Sequence, residues 1–288
     1  MHYLTRKIKQ LPDDEQAKVF EEIIADIAPK SKIEEIQLTL MSDFTEAARE
    51  HMKSFGRMQG ISTGYSTLDR LTMGLVGGEM IVVAGKTSMG KTALSINIAN
   101  NVALNGIPVL FVTMEMTHKE ITARYMNINK DSEDSYDRVS ALTLFQKNDE
   151  LNWQSIDALV EKAKDEMGVG LVIVDHLHYF TRELDNVAED LGRITKEIKK
   201  NAIRHDVPII LISHVRKTQG EADIESLRGS SLIAQDADIV LMVGRNPDTS
   251  QMMVKIEKNR NRGFDHENNE TELTFDGIRL TERSSWNT

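Results

Sequence analysis

The sequence predicts an α/β fold in which helices flank a mostly parallel central sheet. From residue 61 onward, short apolar runs rich in β-branched residues alternate with helical stretches. Runs that are apolar throughout are typical of parallel strands, because both faces of such strands are buried. A glycine-rich phosphate-binding motif joins the first run to the helix that follows it. The 288 residues suffice for one such domain with a small appendage.

Residues 1–56 are predicted to form a helical N-terminal extension, which precedes the main domain at 57–288. Pro12 suits the first turn of a helix, and apolar residues follow at helical spacing as far as Pro29. A second apolar stripe runs through residues 33–55. Two such helices cannot build a good core alone. Either they fold back on the main domain, or the second one packs as a linker helix on a neighbouring subunit.

The main domain is predicted to contain strands separated by helices such as 154–167 and 187–205. The last two apolar runs leave little room for a helix, so we expect an antiparallel hairpin there. A further edge strand is expected near residues 272–275. The predicted strands are 80–84, 109–113, 171–174, 209–213, 239–243 and 252–256.

The composition limits the class of protein. Cysteine is absent, which excludes disulfides and thiolate zinc sites and fits a reducing compartment. The net charge of −10 argues against a globally basic nucleic-acid binder but allows local basic sites. No apolar run approaches the roughly 18 residues of a membrane span, and the N-terminus lacks the apolar core of a signal peptide. We therefore expect a cytoplasmic protein without a membrane partner.

The phosphate-binding motif occupies residues 85–92 and fits the pattern G-x-x-x-x-G-K-[ST]. Its glycines let backbone N–H groups approach a polyphosphate, and the following helix adds the positive end of its dipole. Lys91 is expected to reach the β- and γ-phosphates of a nucleoside triphosphate, and the Thr92 hydroxyl to hold Mg²⁺. The sequence therefore predicts a nucleoside-triphosphate site. The cofactor-binding residues expected here are Gly85, Ser88, Met89, Gly90, Lys91 and Thr92.

Polar side chains follow two of the predicted strands. Asp175 comes directly after the run 171–174, and we expect it to fix Mg²⁺, through water, together with Thr92. His214 follows the run 209–213, where the carboxyl end of a strand lies beside the phosphate-binding loop. We expect His214 to bond the γ-phosphate and to report its hydrolysis.

Glu115 lies just beyond the predicted strand 109–113. A carboxylate there can orient and deprotonate the attacking water. The alternative is that Glu115 caps the next helix, but Thr117 and Glu120 already form a capping box. Glu115 is therefore the expected catalytic base.

A basic turn that includes Lys258 and Arg260 follows the penultimate strand. An arginine inserted into a neighbour's nucleotide site raises the hydrolysis rate by about 10³–10⁵-fold. Solvated basic loops are also common, and the residues alone leave both interpretations open.

Several motifs, taken in order along residues 61–275, resemble the C-terminal RecA-like ATPase domain of DnaB-type replicative helicases. The segment 227–238 is the most specific of them. The matching segments are 61–69, 88–92, 114–116, 172–177, 227–238 and 258–261.

This resemblance implies a RecA-like P-loop NTPase core that assembles as a hexameric ring around single-stranded DNA. In such a ring Lys258 and Arg260 would act on the ATP of the adjacent subunit. Arg228, Gly229 and Ser231 would hold DNA phosphates in a pore loop. The implied activity is ATP-dependent translocation, expected 5′ to 3′, with unwinding of duplex DNA. A primase and a helicase loader are the implied partners.

The chain also departs from the family's usual pattern. His214 stands where DnaB proteins usually carry glutamine, as in phage primase-helicases and mitochondrial Twinkle, which suggests a phage or mobile-element type acting in a bacterial cell. Fewer residues precede the core than in DnaB proteins, which argues against a complete N-terminal collar. A RecA-class recombinase or KaiC-like ATPase is one alternative function. A nucleotide-gated loader or assembly module is another, although such a module needs neither Glu115 nor Arg260.

Overall fold

The computed structural model describes residues 41, 45, 49, 58–146, 153–177, 187–214, 231–246, 249–260 and 268–282. The chain divides into two compact units, Met1–Lys53 and Ser54–Thr288. The predicted N-terminal helices lie almost entirely outside the described residues. The predicted domain boundary between residues 56 and 57 therefore stays a prediction.

Within the described residues, a single nine-stranded sheet forms the centre of the second unit. Its strands are β1 (Met80–Gly85), β2 (Val109–Thr113), β3 (Thr143–Phe145), β4 (Leu171–Asp175), β5 (Ile209–His214), β6 (Ile239–Arg245), β7 (Gln251–Asn259), β8 (Glu270–Phe275) and β9 (Leu280–Glu282). Their order is β3-β2-β4-β5-β1-β6-β7-β8-β9. The pairs from β3 to β6 are parallel, and those from β6 to β9 are antiparallel.

Helices cover both faces of this sheet, as the sequence predicts. They are α1 (Ser66–Thr72), α2 (Lys91–Leu104), α3 (His118–Ile128), α4 (Glu133–Leu142), α5 (Ile156–Met167), α6 (Val187–His205) and α7 (Ser231–Asp236). Apolar residues of α1 to α4 pack in one core, and those of α5 to α7 pack in a second. No described helix is long and apolar enough to cross a membrane.

Strand β1 shows why the central runs are apolar throughout. Ile81 and Val83 belong to the core beneath α2, whereas Met80, Val82 and Ala84 belong to the core beneath α6. Successive strand residues point to opposite faces, so a strand with helices on both sides needs apolar residues at every position. The mostly parallel α/β fold is therefore confirmed.

The observed elements differ from the predicted ones mainly at their ends. The predicted helix 154–167 begins as a 3₁₀ turn at Trp153–Ser155 before α5, and the hairpin predicted from the last two runs is the pair β6–β7. Strands β3 and β9 are absent from the prediction. Each has three residues, which is too short for a periodic pattern.

Candidate active site

The phosphate-binding loop joins β1 to α2 at the carboxyl edge of the parallel strands. Gly85 is the last residue of β1, and Gly90 is the N-cap of α2. Gly90 has φ 96° and Ser88 has φ 66°, so the loop passes twice through the left-handed region. Glycine adopts that region at little cost. The loop thus turns as its motif predicts, and α2 presents its N-terminus to the adjoining cleft.

A cleft of about 630 Å³ opens beside this loop. Its volume is typical of a small-molecule site. The sequence missed several of the residues that complete the cleft, because they belong to α3, to β8 and to the turn after β8, outside the motifs that predicted the site. The cleft includes the predicted Ser88, Gly90, Lys91, Thr92, Glu115 and His214 together with the unpredicted Arg124, Asn127, Phe275 and Ile278. Met89 instead lines a neighbouring cleft between the loop and β6–β7.

Lys91 is buried at the base of the cleft. Its Nζ donates a hydrogen bond to the carbonyl oxygen of Lys86 at 2.9 Å. Burial lowers the pKa of Lys91, while the nearby carboxylates of Asp175 and Glu115 oppose that shift. The ammonium group therefore sits among the polar groups predicted to share its site.

Thr92 and Asp175 meet at the same place. The Thr92 hydroxyl donates to Asp175 Oδ2 at 3.0 Å. Asp175 is fully buried, and this burial raises the pKa of its carboxyl group to about 6, against the opposing hydrogen bond from Thr92. Its other oxygen, Oδ1, is buried without a hydrogen-bond partner among the described residues. A hydroxyl beside a carboxylate with an unpaired oxygen fits the oxygen ligands that Mg²⁺ prefers.

Glu115 lies at the tip of β2, next to the tip of β4. The Met114 N–H donates to the Asp175 carbonyl oxygen at 2.9 Å, which ties the two tips together. Thr117 is the N-cap of α3 and forms the predicted capping box with Glu120. Helix capping therefore does not occupy Glu115, whose side chain is 44% exposed and lines the cleft.

His176 is a residue of this site that the sequence did not single out. Its Nδ1 lies 3.2 Å from Glu115 Oε2. Its ring also meets the ring of His214 edge to face, with centroids 4.6 Å apart and planes at 83°. The available signals were its position one residue beyond Asp175 and its place in the matching segment 172–177, whereas its contact with Glu115 depends on β2 and β4 being neighbours.

Lys258 and Arg260 lie near the end of the sheet where β1 begins, opposite the end that leads into the phosphate-binding loop. The Arg260 N–H donates to the Asp238 carbonyl oxygen, and the Asp238 N–H donates to the carbonyl oxygen of Met80, the first residue of β1. A register shift in the β6–β7 pairing falls between Val240 and Leu241, and such a bulge redirects the side chains that follow it. Lys258 Nζ accordingly donates to carbonyl oxygens of α7 and the residue after it, on the face opposite α2. Arg260 donates to the carbonyl oxygen of Gln235 at 2.7 Å.

The predicted DNA-contacting residues are the least described. Arg228 and Gly229 lie outside the described residues. Ser231 is the first residue of α7, but its side chain is not described. Their predicted role stays a prediction.

The fold and the cleft define a P-loop nucleotide-binding domain of the RecA-like class. The family model "DnaB-like helicase C terminal domain" matches residues 60–137 and 127–277. The chain therefore belongs to the DnaB-like helicase C-terminal domain family, which confirms the resemblance seen in its motifs.

Two curated relatives show the level of similarity. A "Probable replicative DNA helicase" from Trieres chinensis is 31% identical over 218 residues, covering 66% of this chain and 48% of the relative. The "Replicative DNA helicase DnaC" of Bacillus subtilis is 28% identical over 257 residues, covering 78% of this chain and 56% of the relative. The chain thus spans about half the length of these relatives.

Solved structures share the fold at lower identity. One solved ATPase domain has a TM-score of 0.73 and 20% identity, covering 86% of this chain and 100% of that one. A "DnaB-Like Replicative Helicase", described with its interactions with primase, has a TM-score of 0.68 and 21% identity over 96% of this chain and 73% of that one. The RadB recombinase has a TM-score of 0.54 and 17% identity, over 74% of this chain and 95% of that one.

Proposed function

We propose that this chain is the ATP-driven motor of a replicative DNA helicase. The observation that carries the proposal is the coincidence of the family match over residues 60–277 with one cleft that collects Lys91, Thr92, Glu115 and His214. The recombinase-like fold alone would fit other ATPases. The family match favours the helicase among them.

The cleft fits Mg²⁺ and ATP as the bound cofactors. Thr92 and the buried, half-paired carboxylate of Asp175 are the residues that would hold Mg²⁺. When bound, the cation neutralises charge on the β- and γ-phosphates. Lys91 and the N–H groups at the start of α2 would bind the phosphates.

Glu115 is the proposed general base. Its carboxylate is exposed to the cleft, and from there it would take a proton from the attacking water. His214 lines the same cleft, where it would hold the γ-phosphate and pass the change at hydrolysis to the segment that follows β5. In this proposal the three strand tips have different roles: Asp175 helps to hold Mg²⁺, Glu115 is the general base, and His214 binds the γ-phosphate.

The assembly proposed for this motor is a hexameric ring around single-stranded DNA. Arg228, Gly229 and Ser231 would contact DNA phosphates, and Lys258 and Arg260 would complete the neighbour's ATP site. The match to a DnaB-like helicase described with primase supports primase as a partner, and we extend the proposal to a helicase loader. The proposed direction of movement is 5′ to 3′.

ATP hydrolysis with and without single-stranded DNA tests this function. We expect strong stimulation by DNA, and a loss of at least about 100-fold in Lys91→Ala because phosphate binding and charge stabilisation go with the ammonium group. Lys162→Ala is the matched control, since Lys162 is 69% exposed on α5, away from the cleft, and should leave the rate unchanged.

The other outcomes favour the alternatives. Hydrolysis that DNA does not change would favour a RecA-class or KaiC-like ATPase. Nucleotide binding without hydrolysis would favour an assembly module. Normal activity in Lys91→Ala would contradict the nucleotide site itself.

A further inference from the structure

The tips of β2, β4 and β5 bring two imidazoles and one carboxylate together. Ligand atoms of Glu115, His176 and His214 all lie within 4.8 Å of one another. Among the described residues this is the one group of three or more side chains placed to hold a metal ion. We propose that these three residues bind a transition-metal cation of the Zn²⁺ class, at a site separate from the Mg²⁺ site at Thr92 and Asp175.

The spacing suits one shared ion. Zn²⁺ bonds of about 2.1 Å in a tetrahedron place two ligand atoms about 3.4 Å apart. Glu115 Oε2 and His176 Nδ1 are separated by 3.2 Å. The near-perpendicular rings of His176 and His214 allow a nitrogen of each to approach a common point. The other separations are at most 4.8 Å, so the longest must shorten by up to about 1.4 Å, which small side-chain rotations at the strand tips can supply.

The sheet holds these ligands in place. β4 lies between β2 and β5 in the sheet order, and the three strands run parallel. Their carboxyl ends therefore meet at one edge. Glu115 and His176 lie just beyond two of these ends, and His214 ends β5.

The donor set selects the kind of metal. Imidazole nitrogen suits Zn²⁺, Co²⁺ and Ni²⁺, whereas Mg²⁺ prefers oxygen ligands only. Three protein ligands leave a fourth position for water or a phosphate oxygen, as in zinc sites with an open position. The proposed cation is therefore chemically distinct from the one that accompanies ATP.

One consequence rests on the proposed function. A cation on Glu115 and His214 would occupy the proposed base and the proposed phosphate contact, and would inhibit ATP hydrolysis. Binding of the metal itself does not depend on that function, so it is measured in the absence of nucleotide.

The test is titration of the metal-free full chain with Zn²⁺ by calorimetry and with Co²⁺ by its visible absorption. We expect wild type to bind Zn²⁺ at least about tenfold more tightly than His176→Phe, because one ligand is lost. His205→Asn is the matched control. His205 Nε2 lies 2.8 Å from Asp157 Oδ1, a similar histidine–carboxylate pair that belongs to no three-ligand group among the described residues.

Equal Zn²⁺ affinity in wild type and His176→Phe would overturn the proposal, as would the absence of tight Zn²⁺ binding to wild type. A loss of affinity in His205→Asn equal to that in His176→Phe would also overturn it. If circular dichroism shows that His176→Phe does not fold, His214→Asn replaces it with the same expected result. An inactive ATPase with intact Zn²⁺ binding would contradict the proposed function and leave the metal site standing.

Discussion

Asp175 occupies an environment that disfavours its charged form. The carboxyl group is buried, and its pKa rises from 3.8 to about 6. The folded protein therefore binds this proton more tightly than the unfolded chain does. Stability from the group is present below pH 4 and is lost as pH rises through about 6. At neutral pH the buried charge is a cost that a bound cation would offset.

Asp175→Asn should reveal that cost. Each pKa unit corresponds to about 1.4 kcal/mol, so in EDTA the variant should exceed wild type in free energy of unfolding by up to about 3 kcal/mol at pH 7. At pH 4 the difference should fall below about 1 kcal/mol, because folded wild type is then neutral at this position and the unfolded chain is only partly ionised. Urea unfolding followed by circular dichroism at several pH values measures the difference.

The exposed Asp131, paired with Arg279 at 3.1 Å, provides the control for this experiment. Asp131→Asn should change stability by less than about 1 kcal/mol at either pH. If the difference in free energy of unfolding between Asp175→Asn and wild type stayed constant from pH 4 to pH 7, the buried charge of Asp175 would not be destabilising.

Individual residues differ in how far the sequence could predict them. Lys91 and Thr92 follow from one local motif, whose spacing already fixes their positions on the loop and the first turn of α2. Asp175 is visible in the sequence as an acid that directly follows an apolar run, although its contact with Thr92 crosses β5, which lies between β4 and β1 in the sheet. The contact between His176 and Glu115 depends on β2 lying next to β4, and sheet order has no local sequence signal.

At the scale of elements, long periodic segments were predicted closely. Helix α6 (Val187–His205) and strand β2 (Val109–Thr113) have the predicted bounds, because apolar residues recur at helical spacing along α6 and fill nearly every position of β2. Strands β3 and β9 exist only through pairing with β2 and β8. Tertiary pairing, which the local pattern does not encode, decides such short elements.

The bulge in β7 is a second feature without a local signal. Met252, Val254 and Ile256 alternate onto the core beneath α2, and simple alternation would place Lys258 there as well. The bulge instead pairs Lys258 with Val240, whose side chain belongs to the opposite core. Lys258 therefore reaches the carboxyl end of α7.

Lys258→Met should destabilise the fold. The ammonium group donates to the carbonyl oxygens of Ala234, Gln235 and Ala237 at 2.7, 3.0 and 2.6 Å. A cation that caps a helix C-terminus is worth about 1–2 kcal/mol, and methionine keeps the length of the side chain without its donors. Urea unfolding should therefore show that loss in free energy.

Lys162→Met is the matched control for Lys258→Met. Lys162 forms an exposed pair with Glu166 at 3.7 Å, and such pairs contribute less than about 1 kcal/mol. Equal losses of free energy of unfolding in the two variants would show that the hydrogen bonds from Lys258 to α7 stabilise the fold no more than an exposed ion pair does.

At the scale of the whole molecule, the two cations predicted to complete the ATP site lie away from the phosphate-binding loop of their own chain. In the sheet, Ile81 of β1 pairs with Ile239 of β6, and Ile239 pairs in turn with Asn259 of β7. Gly85, where the phosphate-binding loop begins, lies four residues further along β1, or about 13 Å. Lys258 and Arg260 flank Asn259, and Lys258 projects to the face opposite α2. We therefore predict that these cations act on the ATP of a neighbouring copy in the proposed ring.

Subunit mixing tests that arrangement. Arg260→Ala and Glu115→Gln should each bind ATP and hydrolyse almost none, because one loses the cation that stabilises transition-state charge and the other loses the base. In a shared site, an Arg260→Ala subunit still supplies Glu115, and its Glu115→Gln neighbour still supplies Arg260. Random assembly of equal amounts should therefore restore up to about a quarter of wild-type hydrolysis.

The mixture of Lys91→Ala with Glu115→Gln separates a shared site from general rescue. Both residues line one cleft of one chain, so no arrangement of these subunits in a ring can rebuild a complete site. Steady-state hydrolysis across mixing ratios should stay near zero for this pair and pass through a maximum for Arg260→Ala with Glu115→Gln. If both mixtures stay inactive while size-exclusion chromatography shows that the variants assemble together, Arg260 does not act across the subunit boundary. Recovery in both mixtures would mean that activity returns by a route other than Arg260 reaching the ATP site of a neighbour, and would not support the shared site.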